Sequence, residues 1–163
     1  MNNLVSALIL AIIQGITEWI PVSSKGHLIV FKEIFGYGQG LIFDVALHFG
    51  TLAAVFVYFG RDITDIIQEL FKGKFESENG KLGIALIIAT IPAVIVGAFV
   101  RSLDIFDNLL ITSIGFGITG LFLIIASLEM RNKKEKKEPS YLDSFYIGLA
   151  QIFSLFPGIS RSG

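Results

Sequence analysis

Two short polar stretches of the sequence carry side chains suited to phosphate chemistry. In the first stretch, Gln14 and Glu18 are four residues apart and therefore share one face of a helix. Ser24 and His27 follow them and, three residues apart, share a face of the next helix. The second stretch holds Arg161, whose planar guanidinium matches the oxygens of a phosphate. A carboxylate, a hydroxyl, an imidazole and a guanidinium brought into one site would fit phosphoryl transfer.

Small residues and hydroxyls around these groups favour close contact with an anion. Ser23, Gly26 and the first amides of the helix that restarts there form a predicted anion cradle. Ser160 and Ser162 flank Arg161, and the glycines of the same stretch let backbone N–H groups approach a phosphate. The candidate phosphate-binding residues are therefore Ser23, Gly26, Ser160, Arg161 and Ser162.

Each of these groups also has a purely structural interpretation. A Ser-x-x-His pair usually forms a helix cap beside a hydrogen-bonded imidazole. An ionised Glu at the centre of a membrane costs about 2.5–3.5 kcal/mol, so Glu18 needs a partner. That partner is Lys25 or Arg161 in a structural role, and substrate or a metal ion in a catalytic role. His48 is interpreted as a packing residue and Asp44 as an interfacial helix residue.

The composition is that of an integral membrane protein. Of the 163 residues, 53% are hydrophobic and 17% are charged, against about 25% charged in soluble domains. The mean hydropathy is +0.71. The net charge of −1 excludes a basic nucleic-acid footprint over the whole chain. The lack of cysteine excludes disulfides, thiolate metal sites and cysteine nucleophiles.

Three long apolar stretches are predicted to cross the membrane. Residues 82–100 and 109–128 contain no charge, and each stretch has the length that a helix needs to span about 30 Å of hydrocarbon. A third stretch covers residues 45–60 and extends back to residue 41. We therefore predict an all-α polytopic membrane protein in which residues 41–128 form three transmembrane helices.

The two polar stretches interrupt apolar segments that are too short to cross the membrane alone. The first segment breaks at Pro21 and restarts at Ser23 or Ser24, so residues 1–40 are predicted to form a re-entrant helical hairpin. Residues 141–163 are predicted to begin a second hairpin. Backbone that is not helical survives at this depth only where protein or a wet cavity satisfies its polar groups.

The two stretches are copies of an internal repeat. A shift of 137 positions aligns Gln14 with Gln151 and Ser23 with Ser160, and both copies contain an apolar run, a proline break and a small, polar, basic cluster. Three spans separate the copies, so the second hairpin is expected to enter from the opposite side. Such inverted repeats bring broken helices together near the midplane. The second copy stops at Gly163, and we interpret the chain as a fragment with a truncated second repeat.

The basic residues predict the orientation of the chain. Residues 61–81 hold four of them and residues 131–137 hold five, whereas the connection near Arg101 holds one. The first two loops are therefore predicted to be cytoplasmic, and the N-terminal hairpin to enter from the outer side of the plasma (inner) membrane. The first residues lack the Lys or Arg of a secretory signal, which argues against a cleaved signal peptide. Apolar residues at helical spacing predict an amphipathic interfacial helix over residues 62–71.

The motifs resemble those of a known family. The run QGITEWIPVSSKGHL at residues 14–28 and the run PGISRSG at residues 157–163 closely resemble the two signature motifs of the undecaprenyl-diphosphate phosphatases of the bacitracin-resistance type. The resemblance covers the whole chain, including FDVALHFGTL at residues 43–52. Family members are longer, so the second half of the core would be absent here. The residues that match the family's catalytic positions are Glu18, Ser24, His27 and Arg161.

The resemblance implies hydrolysis of a C55 polyprenyl diphosphate to the monophosphate and inorganic phosphate, which recycles the lipid carrier of cell-wall synthesis. Arg161 would hold the diphosphate, and a divalent cation, Mg²⁺ or Ca²⁺, would bind through Glu18 with Gln14. The family has Glu or Gln at the position of Gln14. Either Ser24 or His27 would be the nucleophile and the other would move the proton. No organic cofactor is implied, and a homodimer is one assembly that the resemblance allows.

Two other functions use similar residues. A transporter or lipid flippase would also be built from inverted repeats with broken helices, with Glu18 and Arg161 as a coupling pair and Ser24 as a ligand. A lipid phosphatase of the acid-phosphatase type needs a further downstream His and Asp pair that is not visible in this sequence. Phosphate release by the protein purified in detergent would separate an enzyme from a transporter, because transport needs a sealed membrane.

Overall fold

The computed structural model describes residues 3–38, 40–100, 108–130 and 140–160. The predicted loop at 131–137 lies outside these residues, as do Arg101 and the stretch 161–163. Within the described ranges the chain forms seven α-helices and no strand. The helices are α1 (Asn3–Thr17), α2 (Ser24–Phe35), α3 (Leu41–Tyr58), α4 (Gly60–Phe71), α5 (Glu78–Val100), α6 (Leu109–Met130) and α7 (Tyr141–Phe153).

Helices α3, α5 and α6 are long and apolar enough to cross a membrane. Most of their large apolar side chains are exposed on the folded chain, as expected for surfaces that face lipid. These helices confirm the prediction of an all-α polytopic membrane protein. Helix α5 begins four residues before the predicted span because the Ser77 hydroxyl accepts a hydrogen bond from the Gly80 amide at 3.1 Å and caps it.

The contacts divide the described residues into two compact units. The first unit lies within residues 1–52, 103–134 and 156–163, and the second lies within residues 53–102 and 135–155. In the first unit α2 contacts both α1 and α6. Its most deeply buried side chains include Leu10, Gln14 and Leu28.

The second unit is built around α5, which contacts α4 and α7. Gly148 of α7 allows close approach, since a Cβ there would lie 2.6 Å from the carbonyl oxygen of Ala89 in α5. Helix α4 turns apolar side chains to α5, where a Cβ at Gly83 would lie 2.7 Å from Leu70. The predicted amphipathic helix is thus confirmed, and it begins two residues earlier than expected.

Polar side chains fix the turn between α4 and α5. The Glu69 carboxylate accepts a hydrogen bond from the Ser77 hydroxyl and another from Asn79 Nδ2 at 3.3 Å. The bond from Ser77 is the main reason that the pKa of Glu69 lies below its ordinary value. These bonds hold the chain where α5 begins.

Candidate active site

The first break of the chain lies between α1 and α2. Helix α1 ends at Thr17, and α2 begins at Ser24 with Ser23 as its N-cap. Ser23 has a left-handed backbone with φ of 61°, and its hydroxyl accepts a hydrogen bond from the Gly26 amide at 3.3 Å. The structure therefore confirms the break, with the restart at the second of the two predicted positions.

A polar cluster joins the two sides of this break. Gln14 is fully buried, and its Nε2 donates to Oε2 of Glu18 at 2.9 Å. The Ser24 hydroxyl donates to the same carboxylate oxygen. A carboxylate bonded in this way can accept the proton of a hydroxyl that attacks as a nucleophile. The structure thus pairs Ser24 with Glu18, whereas the sequence spacing pairs Ser24 with His27.

His27 lies one turn further along α2 and is held by two neighbours. Its Nδ1 is 2.9 Å from the carbonyl oxygen of Ser23. Since a carbonyl oxygen can only accept, Nδ1 carries a proton, and Nε2 of the neutral ring carries the lone pair. The ring also meets Phe116 of α6 edge-on, with centroids 5.0 Å apart and planes at 73°. His27 is therefore oriented, with Nε2 able to take or give a proton.

The second break follows α7, which ends at Phe153. Here Gly158 has φ of 87° and packs closely on α6, since a Cβ would lie 2.2 Å from the carbonyl oxygen of Thr112. A Cβ at Gly26, in the first turn of α2 directly after the first break, would lie 3.1 Å from the Cα atom of Gly158. The two breaks therefore meet at a pair of glycines, as the internal repeat predicts.

Hydrogen bonds from α6 also hold the second break. The Thr119 hydroxyl donates to the carbonyl oxygen of Gly158 at 2.8 Å and accepts from the Ser160 amide at 3.1 Å. Arg161 and Ser162 lie outside the described residues. Thr119 is not among the site residues that the sequence predicts. The available signal was the spacing of threonine and glycine along one face of an apolar helix.

The ligand atoms available for the predicted divalent cation are side-chain oxygens. Oε1 of Gln14 is buried without a hydrogen-bond donor among the described residues, and the Glu18 carboxylate is bonded to the same amide. Mg²⁺ is commonly held by one or two carboxylates together with phosphate and water oxygens, and these residues fit a cation held in that way. The described part of the chain contains no group of three or more His, Cys, Asp or Glu side chains that could hold a metal.

Two residues with structural interpretations lie in α3. Nδ1 of His48 is 2.8 Å from the carbonyl oxygen of Asp44 in the same helix. The Asp44 carboxylate forms an ion pair with Lys32 of α2, whose Nζ lies 5.9 Å from the centroid of the Phe43 ring. The contacts of Lys32 join α2 to α3, whereas the contact of His48 lies within α3.

Fold and site together define an all-α polytopic membrane protein in which two helix breaks meet. The first break presents a hydroxyl, a carboxylate and an imidazole, and the second presents a glycine-containing loop. The chain belongs to the bacitracin resistance protein BacA family, whose model matches residues 7–163.

Curated relatives match almost the whole chain. It is 39% identical to undecaprenyl-diphosphatase 4 of Bacillus thuringiensis subsp. konkukian, over 99% of this chain and 60% of that protein. It is 42% identical to the undecaprenyl-diphosphatase of Caldicellulosiruptor bescii, over 96% of this chain and 60% of that protein. It is also 42% identical to the undecaprenyl-diphosphatase of Saccharophagus degradans, over 99% of this chain and 63% of that protein. The chain thus spans about three fifths of the length of these relatives.

Proposed function

We propose that this protein hydrolyses undecaprenyl diphosphate to undecaprenyl phosphate and inorganic phosphate, and so recycles the lipid carrier of cell-wall synthesis. The observation that carries the proposal is the hydrogen bond from the Ser24 hydroxyl to Glu18, at a break that contacts the second motif. The names of the relatives agree with it. A site within the membrane suits this substrate, because its long tail stays in hydrocarbon while the head group enters.

In the first step, the Ser24 oxygen attacks the terminal phosphorus and its proton passes to Glu18. The bond between that phosphorus and the bridging oxygen breaks, and the polyprenyl monophosphate leaves with the electron pair. Water then attacks the phosphoserine, the bond from phosphorus to the serine oxygen breaks, and inorganic phosphate is released. The proton on Glu18 returns to the serine oxygen, and one proton of the attacking water passes to Nε2 of His27 and from there to solvent.

His27 and the two loops complete the site. Because Glu18 takes the first proton, we assign Nε2 of His27, which carries the lone pair, to accepting the proton of the attacking water. Arg161 would clamp the diphosphate with its two parallel N–H donors. The remaining residues proposed to bind phosphate are Ser23, Gly26, Ser160 and Ser162.

Glu18 and Oε1 of Gln14 would hold the divalent cation, Mg²⁺ or Ca²⁺. When bound, it supplies positive charge beside the phosphate oxygens and lowers the cost of placing a diphosphate below the membrane surface. Glu18 would then have two functions, because it would hold the cation and accept the proton of Ser24.

We propose further that the protein lies in the plasma membrane, with the N-terminal hairpin entering from the outer side. The distribution of basic residues supports this orientation. The hairpins at residues 1–40 and 141–163 are proposed to be re-entrant, and a homodimer is the proposed assembly.

Phosphate release tests the function. Full-length protein purified in detergent should release inorganic phosphate from farnesyl diphosphate, and Ser24→Ala should lower the release by about 100-fold or more. Ser127→Ala is a matched control, because its hydroxyl is exposed and donates to the carbonyl oxygen of Ile124 in its own helix at 2.8 Å. No release in detergent, together with movement of the lipid across sealed vesicles, would replace the phosphatase by a transporter.

A further inference from the structure

One face of α6 supports the second break. Thr112, Gly115 and Thr119 recur at intervals of three and four residues and therefore lie on one side of the helix. Thr112 is fully buried, and Thr119 is 7% exposed. A Cβ at Gly115 would lie 2.3 Å from the carbonyl oxygen of Pro157, so the loop rests directly on the helix backbone.

The Thr119 hydroxyl differs from the rest of this face because it bonds two backbone groups of the loop. A hydroxyl has one proton to donate and lone pairs to accept, and here both functions are used. It donates to the Gly158 carbonyl at 2.8 Å and accepts from the Ser160 amide at 3.1 Å. The two bonds lie on either side of Ile159, so the loop cannot turn at that residue without breaking one of them.

We propose that Thr119 is a positioning residue for the second motif, residues 157–163, which we call the phosphate-binding loop. This inference rests on the proposed function. Its hydroxyl pairs the carbonyl of Gly158, an acceptor that would otherwise repel a phosphate oxygen. It also fixes the backbone of Ser160, to which Arg161 is attached. Thr119 acts through the loop and needs no contact with the substrate or the reacting atoms.

This role removes the Ser160 amide from the groups of the loop that can contact phosphate. The Ser160 amide donates to Thr119, so it does not belong to the backbone N–H groups that the glycine-rich motif predicts for phosphate binding. A fixed loop matters because a misplacement of about 1 Å can cost about 100-fold in rate.

The test compares three variants of the full-length protein in detergent. Thr119→Val has a similar shape and no hydroxyl, and Thr119→Ser keeps the hydroxyl. Thr112→Val is the matched control, because Thr112 is also buried on the same face and its hydroxyl donates to the carbonyl oxygen of Asn108, the residue before α6, at 2.9 Å rather than to the loop. Two quantities are measured: kcat/KM for farnesyl diphosphate, and the hydrogen-exchange rate of the Ser160 amide without substrate.

We expect Thr119→Val to lower kcat/KM about ten-fold or more and to speed exchange of the Ser160 amide. Thr119→Ser and Thr112→Val should stay within about three-fold of the wild type in both quantities. If Thr119→Val does not fold, Thr119→Cys takes its place, since a thiol is a weaker donor and should give the same changes with smaller amplitude.

Wild-type kcat/KM in Thr119→Val would overturn the proposal. So would an equal loss in Thr112→Val, or a loss that Thr119→Ser does not restore, because either result would indicate general packing. Failure of the proposed function looks different: the wild type would then release no phosphate, while the Ser160 amide would still be protected in the wild type and exposed by Thr119→Val.

Discussion

Ser23 combines a helix cap with an unfavourable backbone conformation. Among the described residues it is the one non-glycine residue with a positive φ. Ser23→Gly and Ser23→Ala both remove the hydroxyl that caps α2, but only alanine keeps a Cβ in the left-handed region, at a cost of about 1–2 kcal/mol. We expect the alanine variant to be less stable than the glycine variant by about that amount, measured by chemical unfolding in detergent. Equal stabilities would contradict backbone strain at this position.

The sequence predicts the groups of this site better than their pairing. Helical spacing predicts that Gln14 and Glu18 are paired, because Gln14 lies in the last turn of α1 and Glu18 directly follows the end of that helix. Ser24 is six residues beyond Glu18 and on the far side of a non-helical break, so no periodicity links the two. Only the path of residues 18–23, set by the cap at Ser23, brings the hydroxyl to the carboxylate.

At the scale of single helices, α6 depends on a glycine where the second break rests on it. A Cβ at Gly115 would lie 2.3 Å from the Pro157 carbonyl oxygen, whereas one at Gly117 in the same helix would meet nothing within 4 Å. Gly115→Ala should therefore displace the loop, lower the unfolding temperature and reduce phosphate release about ten-fold or more. Gly117→Ala should match the wild type in both assays. Wild-type activity in Gly115→Ala would mean that the loop does not need this contact.

Helix α7 begins with a capping box that predicts a dependence on pH. The Ser140 hydroxyl and amide both donate to Asp143, at 2.7 and 2.9 Å, and these bonds, the hydroxyl's first, lower the pKa of Asp143 from its ordinary value of 3.8. A lowered pKa stabilises the folded chain above pH 3.8, and this stabilisation is lost as pH falls through the folded value.

The wild type should therefore unfold at a higher temperature than Asp143→Asn near neutral pH, and the difference should shrink as pH falls below 3.8. Thermal unfolding in detergent across that range measures it. Asp62→Asn is the control, since this carboxylate lies in the first turn of α4. A difference that stays constant down to the lowest pH would rule out the ionised capping box.

The helices themselves follow from the sequence because long uncharged stretches have few alternatives in a membrane. The residue at which a helix begins does not follow from the sequence in the same way, because the helix cap determines it. Ser77 caps α5 among charged residues that the hydropathy pattern assigns to the loop. Thr119 is overlooked for another reason. A threonine in an apolar helix commonly bonds a carbonyl four residues earlier, as Thr112 does with Asn108, whereas the hydroxyl of Thr119 bonds two groups of the packed loop.

For the whole molecule, the basic residues predict which loops face the cytoplasm. The stretches 61–81 and 131–137 hold nine of the thirteen Lys and Arg residues. Reporter domains inserted at Asn79 and Asn132 of the full-length protein should both report a cytoplasmic location. An insertion near Leu103 should report the outside and is the internal control. Two outside signals at Asn79 and Asn132 would reverse the topology and make the N-terminal hairpin enter from the cytoplasm.

The internal repeat is the largest-scale feature that the sequence predicts. Its shift of 137 residues pairs Thr17, the last residue of α1, with Ser154, the C-cap of α7, so the helices of the two copies end within one residue of each other. The contact between Gly26 and Gly158 then brings the breaks together within one compact unit. Sequence comparison of the copies could not find this contact, because it depends on the face of α6 that both breaks share.

The central claim is that Ser24 and Glu18 act as one unit in phosphoryl transfer, and a double-mutant cycle on phosphate release tests it most directly. Ser24→Ala and Glu18→Gln should each lower kcat/KM for farnesyl diphosphate by about 10²–10⁴-fold. Because residues that act as a unit are non-additive, the double variant should be within about three-fold of the worse single variant. Losses that multiply in the double variant, or a Glu18→Gln enzyme with wild-type kcat/KM, would contradict the claim.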